Sequence, residues 1–556
     1  MSLVSYSWLL SPGTPIAGRG LTGGFIAGSL VLTNLSAEQL VGLNGQAYNT
    51  NMSNMAWKVT AGISVITLAL VLLPRYIGGA FTTLPEFVNS RFDEGTRMMV
   101  TLQFMLGYTF VTIPSVLYSG AIAVLQLFDV PALLGMSLEQ SMWIVIWVVG
   151  IIGAAYAIFG GLKAVAISYT LNGVGLLLIG FHSLGDGNML AGMNTIATEE
   201  PEKLNALGSS EDSVPFGTIF TGMIFANLFY WGTNQYVIQR TLGAKSLAEG
   251  QKGTLFTGFL KILVPFMMMV PGIIAYHLYG DGLETMDLAY PALISELLPP
   301  ILSGFFLAVL LGAVFSSFNS LLNSAATMFV YDLYKVKIKK DASDREMIRV
   351  SKWFGTLLAL VSFFIAPLLL RAPDGLWNII REFTGFFNIP VIAIILVGIF
   401  SKYIPPIGAK ITIVVHVVLY YMLIWGFPMF FGFSFDISFI HIQGILFVLA
   451  VLIMMISGFI RPLDAPHQFT HDPKVDMVPW KFAVPVTMLL MGAMVFCYIL
   501  FSPIGLSYAD GIVSGWFWPA TIALMLLILL LWIISYRSWN GKYSTLLQKM
   551  HKEKKL

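Results

Sequence analysis

Four serines lie on one side of a long apolar segment, at the spacings of neighbours on a helix: Ser316, Ser317, Ser320 and Ser324. Hydroxyl groups in such a segment can hydrogen-bond to a packed neighbouring helix, and small residues such as Gly312 allow that helix to approach closely. They can also provide oxygen ligands to a dehydrated hard cation such as sodium. This segment alone leaves both interpretations open.

The composition places the elements that hold these serines in a membrane. Hydrophobic residues make up 57% of the 556-residue chain, charged residues only 11%, and the mean hydropathy is +0.79. Soluble globular domains are typically about 45–50% apolar and about 25% charged. We therefore predict an all-α integral membrane protein that lies in a lipid bilayer. The net charge of +2 gives no indication of nucleic-acid binding, and the single cysteine, Cys497, excludes an intramolecular disulfide and a cysteine metal cluster.

Apolar segments long enough to cross a bilayer recur along the whole chain. A helix needs about 20 apolar residues to cross a hydrocarbon layer of about 30 Å. The sequence predicts fourteen transmembrane helices, at residues 21–45, 58–78, 99–128, 141–160, 164–183, 216–240, 253–279, 302–333, 352–371, 376–400, 408–429, 437–460, 482–503 and 513–536.

Lysine and arginine occur in alternate loops, which predicts the orientation of the chain. They follow the even-numbered spans, as Arg97 follows the second and Lys337 the eighth, whereas acidic residues collect in loops 184–215 and 277–301. Short cytoplasmic loops carry the positive excess in membrane proteins. The even loops and the basic C-terminal tail, residues 537–556, are therefore predicted to be cytoplasmic.

Polar residues interrupt the first and sixth spans at comparable depths. Residues 33–39 (TNLSAEQ) interrupt the first span, and residues 230–235 (YWGTNQ) interrupt the sixth. A charge at the bilayer centre costs at least about 2.5–3.5 kcal/mol, so Glu38 has to face protein, water or a partner. Broken helices at corresponding positions of two halves are typical of secondary transporters built from inverted repeats. The alternative is that the polar residues only kink two helices.

Three segments resemble the sodium/solute symporter family, and among its branches the bacterial sodium/galactose symporters. They are residues 33–42 (TNLSAEQLVG), residues 226–242 (ANLFYWGTNQYVIQRTL) and the serine-rich segment 316–324. The resemblance extends from about residue 17 to beyond residue 400. It implies a core of five plus five inverted-repeat helices with helices 1 and 6 broken. It also implies sodium-coupled import of a sugar or sugar acid by alternating access, across the bacterial inner (plasma) membrane.

The resemblance also implies roles for individual residues. The implied sodium ligands are two backbone carbonyls of the first helix and three positions on the eighth: Leu32, Leu35, Ala313, Ser316 and Ser317. The implied sugar ligands, from several helices, include Gln39, Asn227 and Lys261. Tyr230 would form an inner gate beneath the sugar, and Asn34 would tie the first helix to that gate. An alternative for Lys261 is a lysine that extends its amine to the membrane surface.

Two departures from the galactose branch predict a different solute. Lys58 stands where that branch has a glutamate, and Arg381 stands where it has a glutamine. Because lysine and arginine are hydrogen-bond donors only, the exchange favours an anionic solute such as a sugar acid. The alternative is a neutral sugar, with Lys58 at the outer membrane interface and Arg381 paired with Glu382. Tyr169, where sodium-coupled relatives commonly carry an aspartate, puts a second sodium site in doubt.

The sequence is expected to divide into an N-terminal cytoplasmic segment, a transport core, peripheral helices and a basic cytoplasmic tail: residues 1–20, 21–400, 401–536 and 537–556. The resemblance implies a further helix before the core, for which residues 1–16 are too short. We do not expect an enzyme, because the seven histidines are scattered and no nucleophile and base share a suitable spacing. Proton coupling, a channel, and a transporter-like sensor without net flux remain alternatives.

Overall fold

The computed structural model describes residues 20–34, 36–81, 83–159, 176–371, 375–469 and 473–553. Within these ranges the secondary structure is helical, apart from two isolated β-bridges that join Leu21 to Ala244 and Ser246 to Asp476. The prediction of an all-α protein is confirmed.

In chain order the principal helices are α1 (Gly23–Asn34), α2 (Ala37–Asn49), α3 (Met52–Gly78), α4 (Leu84–Arg91), α5 (Glu94–Leu127), α6 (Leu138–Phe159), α7 (Met189–Thr198), α8 (Gly222–Gly232), α9 (Gln235–Leu242), α10 (Leu247–Ile262), α11 (Val264–Tyr279), α12 (Ala289–Leu297), α13 (Pro300–Ile338), α14 (Asp344–Arg371), α15 (Gly375–Phe400), α16 (Pro406–Phe431), α17 (Phe439–Ile460), α18 (Ala483–Leu500) and α19 (Phe517–Glu553).

Ten of the described helices, α3, α5, α6 and α13 to α19, are each long and apolar enough to cross a membrane. Helices α10 and α11, which meet at a 48° bend, form an eleventh candidate span. The predicted fifth span, residues 164–183, lies largely outside the described residues. The count of fourteen therefore stays a prediction, whereas the membrane-spanning helical architecture is confirmed.

The two spans predicted to be interrupted are each divided into two helices. Two residues separate α1 from α2, and the second of them, Ser36, is extended with φ −112° and ψ 161°. Thr233 and Asn234 separate α8 from α9, and Asn234 has the extended ψ of 120°. The predicted breaks in the first and sixth spans are confirmed, because both fall within the polar stretches of the sequence.

Neighbouring groups satisfy the backbone at the second break. The carbonyl of Gly232 accepts a hydrogen bond from the hydroxyl of Tyr76 on α3 at 3.0 Å. The carbonyl of Phe229 accepts from the backbone amides of Thr233 and Asn234 at 2.9 and 3.0 Å. An unsatisfied backbone group in hydrocarbon costs several kcal/mol. These bonds therefore make a break inside the membrane tolerable at this position.

Close glycine contacts seat α2 in the middle of the protein. A Cβ on Gly42 would lie 3.0 Å from the Cβ of Trp377 on α15, and one on Gly272 of α11 would lie 2.1 Å from the carbonyl oxygen of Asn44. Both neighbours leave room only for a hydrogen. The helix that follows the first break is therefore held directly against α15.

The C-terminal helices expose many large apolar side chains. On α19, Leu526, Leu529 and Leu530 are each more than half exposed. On α17, Ile445 and Phe459 are also more than half exposed. Such side chains match a hydrocarbon surrounding. Helix α19 also continues from Phe517 to Glu553, past position 536 where the last predicted span ends.

Candidate solute-binding site

Hydrogen bonds between side chains join the two broken spans to each other and to α5. The Nδ2 of Asn34, at the end of α1, donates to the hydroxyl of Tyr230 on α8 at 2.5 Å. The hydroxyl of Tyr108 on α5 donates to the Oδ1 of Asn234, in the break between α8 and α9, at 2.8 Å. We call these four residues the gate pairs. The structure thus brings the two predicted gate residues into contact.

A cavity of about 60 Å³ lies beside the gate pairs. Its lining includes Glu38, Gln39, Tyr230, Asn234, Trp377 and Arg381. It therefore reaches the start of α2, the second break and α15. A cavity of this size holds a few water molecules. A sugar can therefore enter only when the surrounding helices move apart.

Lys58 is buried against the cavity lining. Its ammonium donates a hydrogen bond to the Oε1 of Gln39 and lies 4.5 Å from the ring centroid of Trp377. Only 3% of the residue is exposed. This burial among protein side chains argues against the alternative that places Lys58 at the outer membrane interface. Two of the predicted solute ligands, Gln39 and Lys58, are in direct contact.

Arg381 lies over two tryptophan rings. Its guanidinium carbon is 4.7 Å from the ring centroid of Trp57 and 4.0 Å from that of Trp377. A cation over an aromatic face gains about 2 kcal/mol or more once both groups are desolvated. Trp377 therefore holds Arg381 and Lys58 on a shared aromatic surface.

Lys261, on α10, is the most enclosed of the predicted solute ligands. The residue is 1% exposed, and its Nζ has no hydrogen-bond partner among the described residues. The Nζ lies 5.4 Å from the ring centroid of Trp231 and within electrostatic range of Lys58 and Arg381. Its amine does not reach the membrane surface. We call Lys58, Lys261 and Arg381 the cation cluster.

One carboxylate, that of Glu38, lies within electrostatic range of Lys58 and Arg381. Its Oε1 accepts a hydrogen bond from the hydroxyl of Ser36 at 2.5 Å, in the break of the first span. The buried acid that the sequence placed in the first span thus faces protein and cations, as its cost in lipid requires.

Asn227, also predicted as a solute ligand, makes a contact of its own on α8. Its Nδ2 donates to the Oγ1 of Thr60 on α3 at 3.0 Å. Thr60 follows Lys58 by two residues, so this bond ties α8 to the part of α3 that carries Lys58. Asn227 does not line the cavity, and its present contact is structural.

The predicted sodium ligands are only partly described. Ala313 is buried, and Ser316 and Ser317 are half-buried on α13, which packs against α2 and α9. Leu35 and the side chain of Leu32 lie outside the described residues, as does Tyr169. The sodium ligand set therefore stays a prediction.

The sequence interpretation missed three tryptophans, Trp57, Trp231 and Trp377. Tryptophan in an apolar span usually fills the core or faces lipid, so none was assigned to the site. Their sequence spacing from the cations could have indicated two of them, because Trp57 directly precedes Lys58 and Trp377 lies one helical turn before Arg381.

Comparison with known proteins gives the family. The model of the sodium:solute symporter family matches residues 15–416. The chain belongs to this family. The predicted family is therefore confirmed, and with it a transporter, rather than an enzyme, that carries a small solute across the membrane together with sodium.

Curated relatives of this symporter cover most of its length. It is 38% identical over 535 residues to the uncharacterized symporter YidK of Escherichia coli (strain K12). This alignment covers 95% of this chain and 91% of the relative. It is 31% identical over 434 residues to the sodium/glucose cotransporter of Vibrio parahaemolyticus. That alignment covers 72% of this chain and 77% of the relative.

A solved structure has the same fold as this symporter. The substrate-bound, outward-open state of a Na⁺-coupled sialic acid symporter aligns with a TM-score of 0.67 at 21% sequence identity. The alignment covers 83% of this chain and 94% of that chain. At this identity the likeness shows the shared fold alone.

Proposed function

We propose that this symporter imports a sugar or sugar acid by alternating access, with the solute held in the cavity between the broken helices. The lining of that cavity carries the proposal. It combines the aromatic faces of Tyr230 and Trp377 with the polar groups of Gln39, Asn234 and Arg381. Aromatic surface with a few convergent polar groups is typical of sites for small solutes.

The gate pairs supply the movable part of the proposed mechanism. A tyrosine ring can stack beneath a sugar ring, and its hydroxyl needs a partner while it is buried. Asn34 is that partner in this conformation. Release of the solute past Tyr230 requires this hydrogen bond to break and α1 to move relative to α8.

Sodium is proposed to bind through the backbone carbonyls of Leu32 and Leu35 and through Ala313, Ser316 and Ser317. The packing of α13 against α2 supports this position, because it places the serine-bearing helix beside the first broken span. Sodium drives transport only if it binds one conformation more tightly than the other. Ligands on two separate helices meet that condition, because movement of one helix separates them.

Serine variants test the sodium assignment. We expect the Ser316→Ala, Ser317→Ala double variant to lose sodium-driven uptake by about tenfold or more, because two charge-assisted contacts disappear. Ser320→Ala is the matched control, since its hydroxyl donates to the carbonyl of Ser316 on the same helix at 2.8 Å. Unchanged sodium dependence in the double variant, at equal amounts in the membrane, would refute the assignment.

Uptake into proteoliposomes tests the proposed function. The purified protein is offered neutral hexoses and uronates under an inward sodium gradient, an inward proton gradient, or equimolar potassium. We expect accumulation of one of these solutes with sodium only. Accumulation under a proton gradient alone would show that transport is coupled to protons and not to sodium. Binding without accumulation would instead indicate a transporter-like sensor.

The proposal includes a place in the bacterial plasma membrane with the C-terminal end in the cytoplasm. Lysine and arginine in alternate loops and along 537–555 support this orientation. A C-terminal fusion to a fluorescent protein that folds only in the cytoplasm should fluoresce. Activity of a C-terminal fusion to a periplasmic phosphatase would contradict it.

A further inference from the structure

We propose that the transported solute carries an anionic oxygen group, and that the ammonium groups of Lys58 and Lys261 bind it. The inference rests on the proposed function, since it names the class of solute for the same site. A carboxylate and a phosphate ester share the required chemistry, and the experiment below distinguishes them.

Lys261 provides the first observation. It is enclosed by protein at 1% exposure, yet its ammonium has no hydrogen-bond acceptor among the described residues. The charges within electrostatic range of it are two other cations, Lys58 and Arg381, and the ring centroid of Trp231 lies 5.4 Å from its Nζ. An ammonium has three donors. A buried positive charge without an opposite charge is costly, and a ligand that brings an opposite charge stabilises it.

Lys58 provides the second observation, because it connects Lys261 to the cavity. Its Nζ lies within electrostatic range of Lys261 and donates to the Oε1 of Gln39, which lines the cavity. One of its three donors is therefore directed at a neutral amide. The two ammonium groups lie on different helices, α3 and α10, so a ligand between them would also neutralise their mutual repulsion.

Arg381 has a different task in this arrangement. Its guanidinium lies over Trp57 and Trp377 and within range of the Glu38 carboxylate. The ring faces thus hold the planar cation in place, so Arg381 forms one wall of the site. The two lysines are compact point charges, and such charges suit a carboxylate or a phosphate.

The position of the lysines gives the solute an orientation. Gln39 lies between Lys58 and the cavity, while Tyr230 and Asn234 line the cavity at the breaks. The acidic end of the solute therefore points toward α3 and α10. The hydroxyl-bearing ring lies toward Tyr230, where it meets the aromatic face and the amides.

A hydroxyl group of a neutral sugar would serve these lysines less well. It could accept one hydrogen bond from an ammonium, but it would leave Lys261 without an opposite charge, since the Glu38 carboxylate lies within range of Lys58 and Arg381. Lysine has no acceptor capacity with which to satisfy the hydroxyl proton. An anionic oxygen group meets both demands, since it accepts several hydrogen bonds and carries the opposite charge.

Competition for binding to the purified full-length protein in sodium tests the inference. The probes are a uronate, a hexose 6-phosphate and the matching neutral hexose. We expect one of the two acidic probes to compete about tenfold or more better than the neutral hexose, the scale of a charge-assisted hydrogen bond. Which of the two competes identifies the group as a carboxylate or a phosphate.

The variants Lys261→Met and Lys58→Met remove the charge and keep the length of the side chain. Each should remove most of the acidic preference, measured as the ratio of the inhibition constants of the acidic probe and the neutral hexose. Lys252→Met is the matched control on α10, because Lys252 is partly exposed and pairs with Glu249 at 2.9 Å. Lys261→Gln, with an uncharged polar side chain, serves if the methionine variant does not fold.

The outcomes separate this inference from the proposed function. A neutral hexose that competes as well as both acidic probes would overturn the inference, and so would an acidic preference that survives in both lysine variants. Sodium-driven uptake of the neutral hexose would then leave the proposed function in place. If no solute accumulates with sodium, the proposed function fails, while the order of competition still decides the inference.

Discussion

The gate pairs and the cation cluster meet at one cavity, which Tyr230 and Arg381 both line, but they are built in opposite ways. In the gate pairs, neutral polar side chains hydrogen-bond to one another across helices, as Asn34 does with Tyr230 and Tyr108 with Asn234. In the cation cluster, Lys261 has no hydrogen-bond acceptor among the described residues and lies over an aromatic ring.

The difference indicates a division of tasks. Neutral hydrogen bonds are each worth only about 1 kcal/mol in folded proteins, so they can break and re-form as helices move. Buried cations are costly to leave without opposite charge, and they therefore favour a ligand that supplies it. The gate pairs suit a movable closure, whereas the cation cluster suits solute selection.

The largest expected effect comes from the gate. Tyr230→Ala removes both the aromatic face and the hydrogen bond from Asn34, and we expect sodium-driven accumulation to be lost while solute binding persists. Tyr230→Phe keeps the ring and should lower accumulation about three- to tenfold, as the loss of one hydrogen bond predicts. The measurement is the ratio of solute inside to outside proteoliposomes at steady state.

Tyr403→Ala is the control for the gate variants, because Tyr403 is half exposed and lies outside the cavity lining. It should leave accumulation as in the parent. Accumulation in Tyr230→Ala equal to that of the parent would remove Tyr230 from the gate. The gate pairs would then no longer be a movable closure that differs in task from the cation cluster.

A smaller effect is expected at the wall of the cation cluster. Arg381→Gln removes the charge over Trp57 and Trp377, and we expect the acidic preference to fall about tenfold. Arg381→Lys keeps the charge but loses the planar stacking, so in this variant the acidic preference should fall about threefold. Both changes are measured as the ratio of inhibition constants for uronate and hexose. Equal ratios in parent and Arg381→Gln would exclude Arg381 from selection.

The smallest effect concerns a buried carboxylate between α11 and α12. Asp287 accepts hydrogen bonds from the hydroxyl of Tyr118 at 3.0 Å and from the amide of Leu376 at 3.2 Å. Burial raises the pKa of Asp287 to about 6, although both hydrogen bonds lower it. Unlike Lys261, this buried group has neutral partners that hydrogen-bond to it directly.

The raised pKa of Asp287 gives a pH dependence with a definite sign. The folded protein binds this proton more tightly than the unfolded chain, so the parent gains stability as pH falls through about 6 toward 4. Compared with Asp287→Asn, the parent should gain about 1–2 °C in melting temperature in detergent between pH 7.5 and pH 5. A difference that does not change with pH would contradict the assignment.

The breaks and the cations were predictable from the sequence. Polar residues at 33–39 and 230–235 inside apolar spans indicated the two breaks, and the cost of charge in lipid directed Glu38 toward protein. Lys58, Lys261 and Arg381 stood out because cations are rare within such spans. These are local signals, and each is carried by a short stretch of chain.

The partners of those residues were not predictable in the same way. Lys58 and Trp377 are more than three hundred residues apart in sequence, and their contact depends on how α3 and α15 pack around α2. Asp287 lies in an acidic loop where a buried carboxylate has the same sequence signature as a solvated one. Only tertiary packing shows that Tyr118 and Leu376 enclose it.

One measurement tests the division of tasks most directly. Acid-over-neutral competition and sodium-driven accumulation are measured side by side on Tyr230→Ala and Lys261→Met in proteoliposomes. The account predicts that Tyr230→Ala keeps the acidic preference but loses accumulation, whereas Lys261→Met loses the preference but still accumulates the neutral hexose with sodium. Parallel loss of both properties in both folded variants would contradict it, because gate and cluster would then be one unit.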